Sequence, residues 1–379
     1  MNAPFVLLDG FGTDEIRLFE EPERLILART AEEAPAALRE LDAAQAEGFF
    51  VAGSVAYELG YLLEPTLARF APSEPETPYL ALGVFRAPRR LSEAEMLARL
   101  DRGPARLVEP KPLWAFDDYR GRFETVRACI GRGDFYQANL TFPIEMRVEG
   151  DPLSLYPQFR SAQKAAYGGV VELGGPTAIS FSPELFFELR GDQIRTRPMK
   201  GTAPRGVTPD EDAARRHWLN NDPKNLAENL MIVDLLRNDI SRLCRVGTVE
   251  APELFRVESY PTVHQMTSLV TGRLEGRPAP SDFLRALFPC GSITGAPKIK
   301  AMETLAELET GPRGVYCGAI GVFEPGGDAR FNVAIRTLNV RADGRAAYHV
   351  GGGLVWDSTA EEEYQECLLK ARFLINPPA

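Results

Sequence analysis

The sequence predicts an α+β fold with mostly antiparallel sheet. Three observations carry that expectation. Helical and strand patterns are mixed along the chain without a regular βαβ rhythm. Residues 315–323, 329–340 and 345–356 read as three successive strands. Strong helical patterns stand at 223–244 and 359–374.

Taken in order, residues up to about 112 hold short apolar strings such as 49–55 and 79–85, broken by Pro- and Glu-rich clusters like 71–78. This predicts strands and loops, with helices near 31–47 and 93–101. The Pro- and charge-rich stretch 103–112 predicts a connector. From Trp114 the texture changes, so the chain divides into an N-terminal part, 1–112, and a second region, 113–379. Residues 117–131 predict a helix. Residues 134–148 alternate as a strand, with Phe135, Gln137, Asn139 and Thr141 on one face. Residues 178–189 and 193–196 predict a hairpin. The helix at 223–244 has Asp222 as its N-cap and Pro223 in its first turn.

The chain has 379 residues, a net charge of −10 and a pI near 5.1. Such acidity repels nucleic acid and anionic lipid, so neither is an expected partner. No apolar run is long enough to span a bilayer, and the N-terminus lacks a signal peptide's basic region. The five scattered cysteines include no CxxC pair and predict reduced thiols in the cytoplasm.

Several constellations suit the binding of an anion. On the helix at 223–244, Glu228 shares a face with Met231, Ile232, Leu235 and Asp239. A carboxylate in an apolar stripe needs a cation, unless it sits at the stripe's rim. On the last helix Glu363, Glu366 and Lys370 share a face, as ligand groups or as a solvated pair. The run Gly351, Gly352, Gly353 lets bare backbone approach an anion, or makes a bulge. The loop 290–298, with Ser292, leads into a helix and suits a carboxylate, but lacks P-loop spacing. Arg336, within a strand, needs an anion from a ligand or from the protein. Lys200 becomes a nucleophile only where its surroundings remove its proton. His217, His264 and His349 show no metal-binding spacing.

The order and wording of these segments resemble the chorismate-utilising enzymes. The matching strings are 134–140 (DFYQANL), 182–184 (SPE), 200–206 (KGTAPRG), 227–239 (AENLMIVDLLRND), 291–298 (GSITGAPK), 351–358 (GGGLVWDS) and 363–366 (EYQE). They cover the chain from about residue 117 onward; the N-terminal part resembles the family only loosely.

The resemblance implies an anthranilate-synthase-like fold, with two large antiparallel sheets face to face and helices outside. It implies Mg2+ between the ring carboxylate of chorismate and Glu228 and Glu366, with Glu363 nearby. It places the substrate's side-chain carboxylate against Tyr316, Arg336, Lys370 and the backbone of Gly351, Gly352 and Gly353, and His264 and Ser292 at pocket positions. Members that hydroxylate the ring resemble this sequence at Gln137 but carry lysine there. Those that make anthranilate usually carry alanine where Lys200 stands. The pairing of Lys200 with Glu184 therefore resembles the branch that aminates carbon 4, giving 4-amino-4-deoxychorismate for p-aminobenzoate and folate synthesis. There Lys200 is the nucleophile, Glu184 the general acid, and ammonia comes from a separate glutamine amidotransferase subunit. The alternatives are an anthranilate synthase large subunit and a non-catalytic chorismate-binding relative. Asn225 and Leu185 depart from the family's common acid and arginine.

Overall fold

The computed structural model describes residues 3–163, 165–260 and 263–375. Among them the strands form two ten-stranded sheets, and the strand pairings are antiparallel. The first sheet centres on Gln137–Glu149, Arg345–Leu354, Thr337–Val340 and Thr177–Ser182. The second runs through Met199–Pro204, Val263–Arg273, Gln193–Arg197, Leu185–Arg190 and Ala329–Val333. Each also takes strands from the N-terminal part, Phe5–Gly10 in the first and Phe50–Val55 in the second.

Alternation within strands builds the layers. In Phe5–Gly10, Val6 and Leu8 join Ala52, Phe85, Ile320 and Val322 in the core between the sheets. Phe5 and Leu7 face outward into a second core, under helices Phe116–Arg132 and Ala360–Ile375. A third core covers the other sheet beneath Ala34–Ala46, Pro223–Ser241 and Pro280–Leu287. This is the α+β architecture expected, with helices outside.

Four local expectations change. The run 178–189 is not one strand: Thr177–Ser182 lies in the first sheet and Leu185–Arg190 in the second, and the chain crosses at Pro183 and Glu184. The run 329–340 likewise splits into Ala329–Val333 and Thr337–Val340, with Arg336 at the crossing rather than inside a strand. Its φ of 52° is left-handed, as a sharp change of direction demands. The connector 103–112 contains a strand, Arg106–Pro112, which pairs with Gln137–Glu149. The strand expected at 315–323 begins only at Ala319, leaving Tyr316 in the preceding turn. Both crossings are held together: Val333 N–H donates to the Glu184 carbonyl at 3.0 Å, and Phe181 N–H to the Arg336 carbonyl at 3.0 Å.

Candidate active site

The paired crossings bring Glu184 and Arg336 to the place where the sheets exchange strands. Glu184 is 4% exposed, and its Oε1 has no hydrogen-bond partner among the described residues. Burial pushes its carboxyl up to about 7, against the opposing pull of the Ser292 hydroxyl and the Lys200 ammonium. Glu184, Ser292 and Lys200 therefore form one group. No ion pair joins Arg336 to a carboxylate among the described residues, so its charge is available to an anion.

Lys200 lies in Met199–Pro204, where the pairing with Val263–Arg273 shifts register between Met199 and Thr202. Such a bulge re-aims a side chain. Gly201 takes a φ of 93° there, and a Cβ on it would meet Asn225 Oδ1 at 2.9 Å. Asn225 itself donates through its side chain to Asp222, the predicted N-cap, at 2.7 Å.

The glycine run makes no bulge: it keeps regular register within a central strand, where Gly351, Gly352 and Gly353 pair with Thr141, Leu140 and Asn139. A Cβ on Gly353 would lie 2.6 Å from Lys200 Nζ and 3.1 Å from Gln137 Nε2. Only glycine lets the lysine and the glutamine meet over this strand. Gln137 is wholly buried, and both its amide atoms lack partners among the described residues. Buried polar groups without partners are costly and mark a place for a polar ligand. The Gly351 carbonyl accepts from Lys370 Nζ at 2.7 Å. In antiparallel pairing the N–H of the same residue points the same way, so Gly351, and Gly353 two residues on, present N–H groups away from Thr141 and Asn139.

A Cβ on Gly352, on the opposite face, would lie 2.6 Å from Glu363 Oε2. Glu363 accepts from Ser358 at 2.7 Å; burial raises its pKa, that hydrogen bond lowers it, and the like charge of Glu366 raises it further. Glu366 pairs with Lys370 at 2.9 Å, which lowers the acid's pKa. Burial works against the Lys370 charge, but Glu366 holds its pKa up. Lys224 also lowers the pKa of Glu366, so the start of helix Pro223–Ser241 faces the last helix, and half-buried Glu228 lies one turn after Lys224. Among the described residues no three His, Cys, Asp or Glu side chains form a closed metal cluster. Glu363 and Glu366, neighbours on the last helix, are a donor set of the kind that suits Mg2+, which takes one or two carboxylates and completes its shell with water and substrate oxygens.

Tyr316 is buried and stacks on His349, with ring centroids 5.4 Å apart. His264 differs from Gln137: Ser259 holds its Nδ1 at 2.9 Å and Asp212 its Nε2 at 3.0 Å, so both nitrogens have protein partners. Asp239, on the Glu228 stripe, is paired with Lys298 at 2.7 Å. Arg313 has no place in the sequence argument. It is 1% exposed, pairs with Glu309 at 2.8 Å, and donates to the carbonyls of Asn139 and Ile293, tying the Gln137 strand to the Ser292 loop. Glu309 stands four residues before it, but the carbonyls that give it its place, Asn139 and Ile293, lie in other segments, so no motif marks it.

A two-sheet sandwich in which a buried carboxyl, a lysine and bare strand backbone converge at the crossing suits the binding of a small anion. The chain belongs to the chorismate binding enzymes, whose family model matches residues 3–376. It is 42% identical over 260 residues to aminodeoxychorismate synthase component 1 of Klebsiella aerogenes, covering 69% of this chain and 57% of that protein. Anthranilate synthase component 1 1 of Haloarcula marismortui is 40% identical over 262 residues, 69% of this chain and 53% of that protein. The matches thus span little more than half the length of these relatives. The crystal structure of anthranilate synthase component I from Streptococcus pneumoniae superposes with a TM-score of 0.77 at 28% identity, covering 99% of this chain and 90% of that one.

Proposed function

We propose that the chain aminates chorismate at carbon 4 to give 4-amino-4-deoxychorismate. The observation that supports this most is the meeting of Lys200 with Gln137 over Gly353, beside a Glu184 carboxyl near pKa 7. Chorismate's side-chain carboxylate lies against Arg336, Lys370, Tyr316 and the open N–H groups of Gly351 and Gly353. Mg2+, held by Glu228 and Glu366 with Glu363 nearby, supplies charge neutralisation for the ring carboxylate when bound.

Glu184, still protonated at neutral pH in a substantial fraction, gives its proton to the departing 4-hydroxyl. The Lys200 nitrogen bonds to carbon 2 as the ring double bond shifts and water leaves, and the proton that the lysine sheds passes to the carboxylate left on Glu184. Ammonia then bonds to carbon 4, the double bond shifts back, and the Lys200 nitrogen leaves carbon 2. Gln137 has no basicity with which to activate water, which disfavours ring hydroxylation. Ammonia reaches the enzyme free or from a glutamine amidotransferase partner.

The test is product analysis of the pure chain with chorismate, Mg2+ and ammonium. A product with nitrogen on carbon 4 and the enolpyruvyl group retained is expected. Anthranilate with free pyruvate would instead assign the chain to anthranilate synthesis. Binding without turnover would leave a non-catalytic relative.

A further inference from the structure

A cleft of about 220 Å3 lies along the same two central strands. Thr141, Pro143, Glu145, Ala347 and His349 line it, on the strand face shared by Gln137, Gly351 and Gly353. Thr141 lies opposite Gly351 and His349 opposite Pro143, so the cleft begins where the glycine run ends. The Tyr316 ring stacks on His349 of the cleft wall.

The unspent polar atoms of this cleft accept hydrogen bonds. Asn339, also in its wall, is 8% exposed and its side-chain oxygen has no partner among the described residues. His349 Nδ1 is buried and equally unpartnered. Burial, with Arg313 nearby, pushes the imidazole down to about 3, so the ring is neutral; the Pro312 carbonyl engages it. Nδ1 therefore remains an acceptor. Arg313 and Arg341 are already paired, with Glu309 at 2.8 Å and Glu76 at 2.5 Å. Glu58 is spent, since its carboxylate accepts from the Arg313 N–H at 2.6 Å and the Gly314 N–H at 3.1 Å and burial pushes it up to about 7. Glu145, exposed and without an ion pair among the described residues, is left as a surplus acid in the wall.

Orphaned acceptors with surplus negative charge recognise a small cation bearing N–H groups. We propose that this cleft binds ammonium and gathers the nitrogen nucleophile beside the chorismate site. The choice of ammonium among small cations rests on the amination reading.

The chain has three histidines, so histidine-selective 15N labelling resolves the rings by NMR. Ammonium chloride, titrated at constant ionic strength against sodium chloride, should shift the His349 signal saturably. Asn339→Leu should weaken that binding about tenfold, the loss of one hydrogen bond to a charged group. It should raise the KM for ammonium by a similar factor and leave the KM for chorismate unchanged. Ala347→Leu, which fills the cleft from the neighbouring strand, should do the same and serves if Asn339→Leu does not fold. Absence of an ammonium-specific shift in the wild type overturns the proposal, and so does an equal shift with potassium. Normal amination with an unchanged ammonium KM in both folded variants overturns the cleft's role in supply. An ammonium-specific shift in a chain that does not aminate chorismate supports the site and defeats the amination reading.

Discussion

Gly353→Ala tests whether Lys200 must stand where it does. Gly353 sits in regular strand pairing and outside the left-handed region, so its backbone accepts an alanine. The new Cβ would lie 2.6 Å from Lys200 Nζ. Carbon and nitrogen in van der Waals contact settle roughly 3.5 Å apart, so the ammonium must retreat by about 1 Å. The atom most displaced is the tip of a flexible side chain, and the Gln137 amide, at 3.1 Å, need give by only a few tenths of an ångström, so the strand pairing is kept. A displacement of that size costs about 100-fold in rate, equal to about 2.7 kcal/mol in the barrier. The assay is kcat for chorismate consumption at saturating ammonium and Mg2+, with the melting temperature as a control. Gly351→Ala is the contrasting variant: its Cβ meets Thr141 Cγ2 at 2.6 Å and the Leu140 carbonyl at 2.7 Å, so it should lower the melting temperature instead. A folded Gly353→Ala variant with wild-type kcat would show that Lys200 need not stand over Gly353.

Lys200→Ala should nearly abolish 4-amino-4-deoxychorismate formation at moderate ammonia, with Mg2+ binding and melting unchanged; any residual product should carry nitrogen on carbon 2, as product analysis would reveal. Burial raises the Glu184 carboxyl to about 7 in the fold, above about 4.3 for an unfolded glutamate. Its contribution to stability is therefore fully present below the unfolded value and lost as pH rises through about 7. Its catalytic proton goes over the same window, so kcat at constant free ammonia should fall above pH 7, and Glu184→Gln should flatten that profile at a lower rate. Turnover should require Mg2+, because Glu228 and Glu366 otherwise face an anionic substrate as like charges; full activity in excess chelator would contradict this. Glutamine should support turnover only when an amidotransferase subunit is added, measured as glutamate released per chorismate consumed.

What the sequence shows most clearly is local. The helix at Pro223–Ser241 was visible from its stripe, its Asp222 cap and its proline, and the Glu366–Lys370 pair from its i, i+4 spacing. The sheet exchange was not visible. Pro183 interrupts 178–189, but a proline alone does not tell a bulge from a change of sheet, and 329–340 holds no Gly or Pro at its break, so the pairing of the two crossings that puts Glu184 and Arg336 together does not show locally. The glycine run was recognised as a bare-backbone feature, but its reason, room for Lys200 and Glu363 on opposite faces, depends on partners far away in sequence. Arg313 and the acceptor-lined cleft beside it were invisible for the same cause: their chemistry arises from contacts between distant segments.

The most direct test of the central claim, that Lys200 bonds to the ring, is intact-mass and peptide-mapping analysis of the chain quenched during turnover with limiting ammonia. The account predicts an adduct of chorismate less one water on Lys200, lost on adding ammonium and absent from Lys200→Ala. Efficient amination with no adduct on Lys200 under any quench, and wild-type rates in Lys200→Ala, would contradict it.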